Sequence, residues 1–285
     1  MNNSMPLFID NDGNAYSEND VFQSLKAVGA DDCETIFLHS DIMLGSLAEG
    51  VRRREFLGAF CNALERLGVK YLIAPTFTYS FANNEDFDVR KSPTSMGALN
   101  EFIRKQPARY RTLDPLLSLS VPIELKEHFS ELGNNSLGVD SGLDRLHSMD
   151  GVKFVFLGAR FYDCFTYLHY VECIRNVPYQ FDMRFDGKII DEDGNSFDRT
   201  QFIRTKFTGV QLREDEHFEN RLTELGCLRK VRLGNSFVSA ISEADAFREI
   251  NAALDRDVYF FLQQPPTNME RKYSYSRANG RITHC

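Results

Sequence analysis

Residues 35–74 read TIFLHSDIMLGSLAEGVRRREFLGAFCNALERLGVKYLIA, and the fold class turns on how this segment divides. Thr35 to Leu38 is a short apolar run ending at His39. From about Arg53 to Leu67, the residues Phe56, Leu57, Phe60, Leu64 and Leu67 recur at the spacing that lines one face of a helix. Gly68 supplies a stop, and Lys70 to Ala74 is a compact strand closed by Pro75. Strand, helix, strand in that order predicts a crossover unit in a partly parallel sheet.

The pattern continues on the C-terminal side. Ser92-Pro93-Thr94-Ser95-Met96-Gly97 precedes a helical stretch, Ala98 to Lys105, for which Thr94 or Ser95 is the expected N-cap. Leu116 to Val121 reads as a strand, Asp144 to Met149 as a short helix, and Val152 to Leu157 as a further strand ending in a turn at Gly158. After Pro178 the composition shifts. Tyr179 to Thr208 is rich in Phe, Asp and Gly, and Asp186-Gly187 and Asp193-Gly194 are hairpin-type pairs. Helical patterns return at Phe218 to Leu225 and Ser242 to Leu254. The expectation is an α/β fold: a central mixed, partly parallel sheet flanked by helices, with a small antiparallel β insertion at about residues 179–208. It forms a single domain over residues 1–265, followed by a polar, mobile tail over 266–285.

The totals narrow the function classes. With 285 residues and 42% apolar content the chain can bury a sizeable core. No apolar run approaches the roughly 18 to 20 residues that cross a bilayer, and no basic-then-apolar leader opens the chain, so a cytoplasmic location and no membrane partner are expected. A net charge of −8 argues against nucleic acid. The densest basic cluster, Arg52-Arg53-Arg54 followed by Glu55, reads as a solvated helix face, with an anion contact as the alternative. The six cysteines show no CxxC pair and are expected as buried thiols. Glycine-rich dinucleotide, phosphate-loop and GxSxG signatures are all missing. Oligomeric state stays open, the apolar helical faces near the C-terminus being a surface on which a homo-oligomer can form.

Three polar segments follow directly on strand-like runs, where open parallel sheets gather ligands. They are His39-Ser40-Asp41, Pro75-Thr76-Phe77-Thr78-Tyr79-Ser80, and the stretch from Gly158 to Glu172. The last contains Thr166-Tyr167-Leu168-His169-Tyr170-Val171-Glu172, which on a helix puts His169 and Glu172 on one face. An imidazole oriented by a carboxylate takes up a proton near neutral pH. Two other readings stand beside this one: a buried polar pair that only fixes a helix, and a zinc site, for which a partner pair at ligand spacing is lacking. The remaining histidines, His128, His147 and His217, are expected to be structural or surface groups, and His284 lies in the tail.

Together these segments resemble the aminoglycoside 3-N-acetyltransferase family, which is distinct in fold from the GNAT enzymes. The resemblance rests on Leu38-His39-Ser40-Asp41, Pro75 to Phe81, Ser92 to Gly97, Asp114-Pro115-Leu116-Leu117-Ser118 and Thr166 to Glu172, in family order over about residues 20–260. It implies acetyl-CoA as donor, an amino sugar or aminoglycoside as acceptor, and no metal. His169 is then the general base, supported by Glu172, with Thr78, Thr76 or amides of the His39 to Leu44 loop as donors to the developing oxyanion. His39, Ser40, Asp41, Thr76, Ser95, Met96, Gly97 and Ser118 are the expected acetyl-CoA contacts. Tyr79, Asp114, Tyr170 and Asp182 are the expected acceptor contacts, and Asp186 and Glu214 to Glu216 are further carboxylates for a cationic drug. Antibiotic-modifying members often carry His-Pro where this chain has Asp114-Pro115, which changes the expected site wall. The alternatives are an N-acyltransferase of surface-glycan amino sugars and a non-catalytic CoA- or sugar-binding protein.

Overall fold

The computed structural model describes residues 5–213 and 215–270, together with the backbone of strands Ser274–Ser276 and Arg281–Thr283. Cys285, His284, Glu214 and much of the expected tail lie outside the described residues. The main sheet has seven strands in the order Leu228–Leu233, Ser236–Ser242, Val152–Leu157, Thr35–Ser40, Tyr71–Pro75, Leu119–Pro122, Arg109–Arg111. Thr35–Ser40 lies parallel to both Tyr71–Pro75 and Val152–Leu157, and the outer strands are antiparallel. This is the mixed, partly parallel sheet that the segment 35–74 predicts.

Alternation along the strands divides the core into two layers. Phe37, Ile73, Phe154 and Phe156 pack with Tyr167, Tyr170 and Val171 of the helix Tyr167–Ile174. Ile36, Leu38, Val155 and Leu157 face the opposite layer, with Phe56, Phe60 and Leu64 of the helix Arg53–Glu65 and Leu99 of the helix Ala98–Arg104. Since strand residues alternate, His39 shares the side of Phe37 and Phe156, while Ser40 shares that of Leu38.

The Phe- and Asp-rich section forms one long hairpin, Gln180–Ile190 with Ser196–Lys206. Its turn is at Asp191 to Asn195, where the Asp191 carboxylate accepts from the Asp193 and Asn195 amides. Asp186-Gly187 is no turn: both residues lie mid-strand. Gly187 is glycine for a different reason, because a Cβ there would sit 2.6 Å from the Phe81 ring. The strand expected at Leu116 to Val121 starts only at Leu119, since Leu116 and Leu117 turn under the Asp114 carboxylate. The N-cap of Ala98–Arg104 is Gly97, at φ 92°, in place of Thr94 or Ser95. Both of those hydroxyls donate instead to the Phe77 carbonyl. The five described cysteines are free and half-buried, short of the full burial expected for them. No helix among the described residues is long and apolar enough to cross a membrane.

Candidate active site

The eight-residue helix Tyr167–Ile174 carries His169 and Glu172 on one flank. The His169 Nδ1 lies 2.7 Å from Glu172 Oε2. An ionised carboxylate only accepts hydrogen bonds, so Nδ1 carries a proton, and in the neutral ring the lone pair is on Nε2. Glu172 is fully buried, whereas the His169 side chain keeps 30% of its exposure. The Tyr179 hydroxyl donates to Glu172 Oε1 at 2.7 Å and the Gln180 amide to Oε2 at 2.8 Å, so both carboxylate oxygens are filled. Burial pushes the Glu172 carboxyl upward. The His169 bond and charge, the Tyr179 hydroxyl and the Lys206 charge outweigh it, and the group stays below its ordinary range.

A cavity of about 820 Å³ opens at the carboxyl ends of the central strands. His39, Ser40, Asp41, Ser95, Met96 and Gly97, six of the expected acetyl-CoA contacts, line it. Thr76 and Ser118 do not. Both are fully buried, the Thr76 hydroxyl donating to the Ser118 carbonyl at 3.1 Å and the Ser118 hydroxyl to the Thr76 carbonyl at 2.6 Å. Thr78 is also buried, its hydroxyl donating to the Pro115 carbonyl at 2.9 Å. Each threonine has one hydroxyl proton and has committed it to the fold. His169 itself is not among the lining residues; the cavity reaches Asp163 and Cys164, in the short helix before it.

Of the expected acceptor contacts, Tyr79 is half-buried in a left-handed conformation at φ 54°. Asp182 and Asp186 are exposed on the long hairpin, where Asp182 accepts from Asn135 and Asp186 pairs with Arg184. Asp215 and Glu216 are exposed as well. Tyr170 is buried with its hydroxyl on Asp144 Oδ1 at 2.8 Å. Asp114 is buried too, accepting from the Leu116 and Leu117 amides and the Ser136 hydroxyl. Burial raises its carboxyl pKa, with those bonds acting in the opposite direction. In place of a site wall, Asp114 braces the turn beneath it.

Several residues of the site gave no signal in the sequence. Asn100, buried in the first turn of its helix, accepts the Ser40 hydroxyl at 2.7 Å and donates to the Pro75 carbonyl at 2.8 Å, joining two strand ends to one helix. Arg160 is the one arginine or lysine among the lining residues. Tyr179 and Gln180 orient the Glu172 carboxylate from just outside the dyad's helix.

His39 is 4% exposed, lies flat on Phe156 with ring centroids 4.8 Å apart, and its Nε2 has no hydrogen-bond partner among the described residues. Burial lowers its pKa from 6.5 to about 3. Below pH 6.5 the unfolded chain gains a proton that the folded chain does not take until about pH 3, so stability is lost as pH falls through that window. Between pH 7 and pH 5 the loss is on the order of 2 kcal/mol. Urea titrations at the two pH values should show His39→Leu losing about that much less than the wild type. Equal losses in both proteins would mean that His39 is not buried in its neutral form.

Among the described residues no group of three His, Cys, Asp or Glu side chains is arranged to hold a metal ion. The family model for aminoglycoside 3-N-acetyltransferases matches residues 43–255. Among solved structures, the aminoglycoside acetyltransferase AAC(3)-IVa apoenzyme is similar with a TM-score of 0.66 and 19% identity, over 95% of this chain and 96% of that chain. AAC-IIIb in a binary complex with CoASH is similar at 0.65 and 20%, over 87% and 98%. The YokD protein from Bacillus subtilis is similar at 0.66 and 18%, over 85% and 94%. No curated protein sequence matches significantly. At these identities the structural likenesses are likenesses of fold.

Proposed function

The chain belongs to the aminoglycoside 3-N-acetyltransferase family, and from that premise we propose that it transfers an acetyl group from acetyl-CoA to an amine of an amino sugar, the 3-amine of an aminoglycoside. The observation that carries the reading is the His169–Glu172 pair, with Nδ1 tied to a buried carboxylate and Nε2 left to accept a proton. In the proposed reaction the sugar amine gives up a proton to Nε2 as its nitrogen bonds to the thioester carbonyl carbon. The carbon–sulfur bond then breaks and CoA leaves as the thiolate, which takes up the proton. Glu172 holds the ring's tautomer and stabilises the imidazolium while it carries that proton.

Acetyl-CoA would lie in the 820 Å³ cavity, against His39, Ser40, Asp41 and the Ser95 to Gly97 segment, with Arg160 placed for a phosphate. With the hydroxyl protons of Thr76 and Thr78 committed elsewhere, oxyanion donors come from the loop amides. Asp41 donates to the Leu157 carbonyl and Met43 to Asp41 Oδ1, which leaves the Ile42 and Leu44 amides without an acceptor among the described residues. For the acceptor, Tyr79 and Asp182 are the remaining candidates near the hairpin and the Thr78 turn.

CoA release from acetyl-CoA is the test, with aminoglycosides that have or lack a free 3-amine run beside amino-sugar nucleotides. Release confined to the 3-amine drugs is expected. Release with the nucleotides alone would move the protein to glycan acylation. Tight CoA binding without release for any amine would make it a binding protein.

A further inference from the structure

The short helix that carries the dyad has little to hold it in place by itself. Eight residues are marginal for an isolated helix. Its N-cap, Thr166, has helical backbone angles and makes no side-chain cap bond, and its first turn carries no acidic residue to complement the dipole. On the flank away from the dyad, however, two fully buried phenols each meet a carboxylate. Tyr167 donates to Glu243 Oε1, the first residue of the helix Glu243–Arg256, and Tyr170 donates to Asp144 Oδ1 in the helix Gly142–His147. His147 closes the cluster. Its Nδ1 lies 2.6 Å from Glu243 Oε1 and 3.1 Å from the Tyr167 hydroxyl, and its ring stacks on Phe247 at 4.4 Å. Burial and the adjoining carboxylates push both phenol pKa values up, so both remain protonated donors.

We propose that Tyr167 and Tyr170 are positioning residues for His169: their bonds to Glu243 and Asp144 fix the rotation of the dyad helix and so the place of the His169 Nε2. The inference rests on His169 being the base. Apolar packing is non-directional and tolerates a helix turning about its axis. Two charge-assisted hydrogen bonds of fixed length, three residues apart along the same face, do not. A rotation of about 10° moves a group ~6 Å from a helix axis by roughly 1 Å, and a misplacement of about 1 Å can cost on the order of 10²-fold in rate. Packing alone would be served equally well by phenylalanine at both positions, since neither hydroxyl reaches solvent.

Tyr167→Phe and Tyr170→Phe, singly and together, are tested in the wild-type and in the His169→Ala background. In the wild type, kcat should fall about tenfold for each single variant and about a hundredfold for the pair, while the KM for acetyl-CoA stays within twofold. In the His169→Ala background the same changes should cost nothing further, because residues acting through His169 have nothing left to position. Glu243→Leu should repeat the loss and Glu243→Gln, which keeps an acceptor for the phenol, should restore most of it. This also covers a Tyr167→Phe protein that fails to fold. Equal losses in both backgrounds, or kcat within twofold of wild type, would overturn the positioning role. A His169→Ala protein near the wild-type rate would instead remove the base assignment itself, whatever the tyrosine variants do.

Discussion

His169→Ala should lower kcat by about 10²–10⁴-fold, the usual worth of a positioned general base. A sugar amine near neutral pH is largely protonated, and the uncharged amine that attacks must still lose a proton as its new bond forms. Nothing else on the exposed flank of the dyad helix can take that proton from the same position: Glu172 is fully buried and its two oxygens already accept from His169, Tyr179 and Gln180. The fold should survive the change, because His169 is the partly exposed member of the pair and the helix keeps its bonds to Glu243 and Asp144. Binding of CoA should survive as well, since His169 does not line the cavity. Steady-state kinetics with a thiol reagent, alongside calorimetric CoA binding, measure both halves. Turnover near the wild-type value with CoA binding intact would show that the proton leaves by another route.

The second large effect is expected at Gly158. This residue follows the strand Val152–Leu157 at φ +74°, and a Cβ built on it would lie 1.9 Å from the Asp41 carbonyl oxygen and 2.8 Å from a Leu44 methyl. The backbone here is fixed from several sides. The Gly158 amide donates to the Phe237 carbonyl at 2.9 Å, its carbonyl accepts the Ser236 hydroxyl at 2.8 Å, and the Asp41 amide donates to Leu157 at 2.9 Å. Gly158→Ala therefore combines a left-handed backbone, costing about 1–2 kcal/mol, with an overpacked contact costing about 1–3 kcal/mol. The sum, roughly 2–5 kcal/mol, corresponds to a Tm lowered by about 3–8 °C in a domain of this size. Asp41 is also a cavity residue, so relief of the clash must push the wall of the donor site, and the KM for acetyl-CoA should rise. A Tm and KM both at wild-type values would mean that the two backbones do not approach this closely.

Much of the sheet was legible because its strands are buried on both faces. Val152 to Leu157 reads to the residue, since a continuous apolar run bounded by glycines has few other meanings. The strand Thr35–Ser40 runs two residues past its apolar stretch, because ladder pairing to Phe156 and Leu157 continues through His39 and Ser40, and pairing leaves no mark on side-chain type. The dyad was legible for a local reason: a separation of three residues on a helix is a distance. Thr76 and Thr78 show where that logic ends. Their place beside a strand end suited a role as donors, yet the carbonyls that hold their hydroxyls, those of Ser118 and Pro115, come from a turn some forty residues on. Asn100 was invisible for the same reason. Its partners Ser40 and Pro75 belong to two strands that meet only in the folded sheet.

The parallel core also governs when the site can come into being. Ile36 has Leu72 on one side and Lys153 on the other. A nascent chain released as far as residue 150 therefore holds the first cavity wall with one neighbour missing, and the loop at Asp41 has no Leu157 carbonyl to close upon. Pairings this distant in sequence form slowly, and until they form the central strand is an open edge. The apolar run Thr35 to Leu38 must stay shielded for the time it takes to synthesise more than a third of the protein. During that interval the helices Arg53–Glu65 and Ala98–Arg104, both already complete, can cover one face of it.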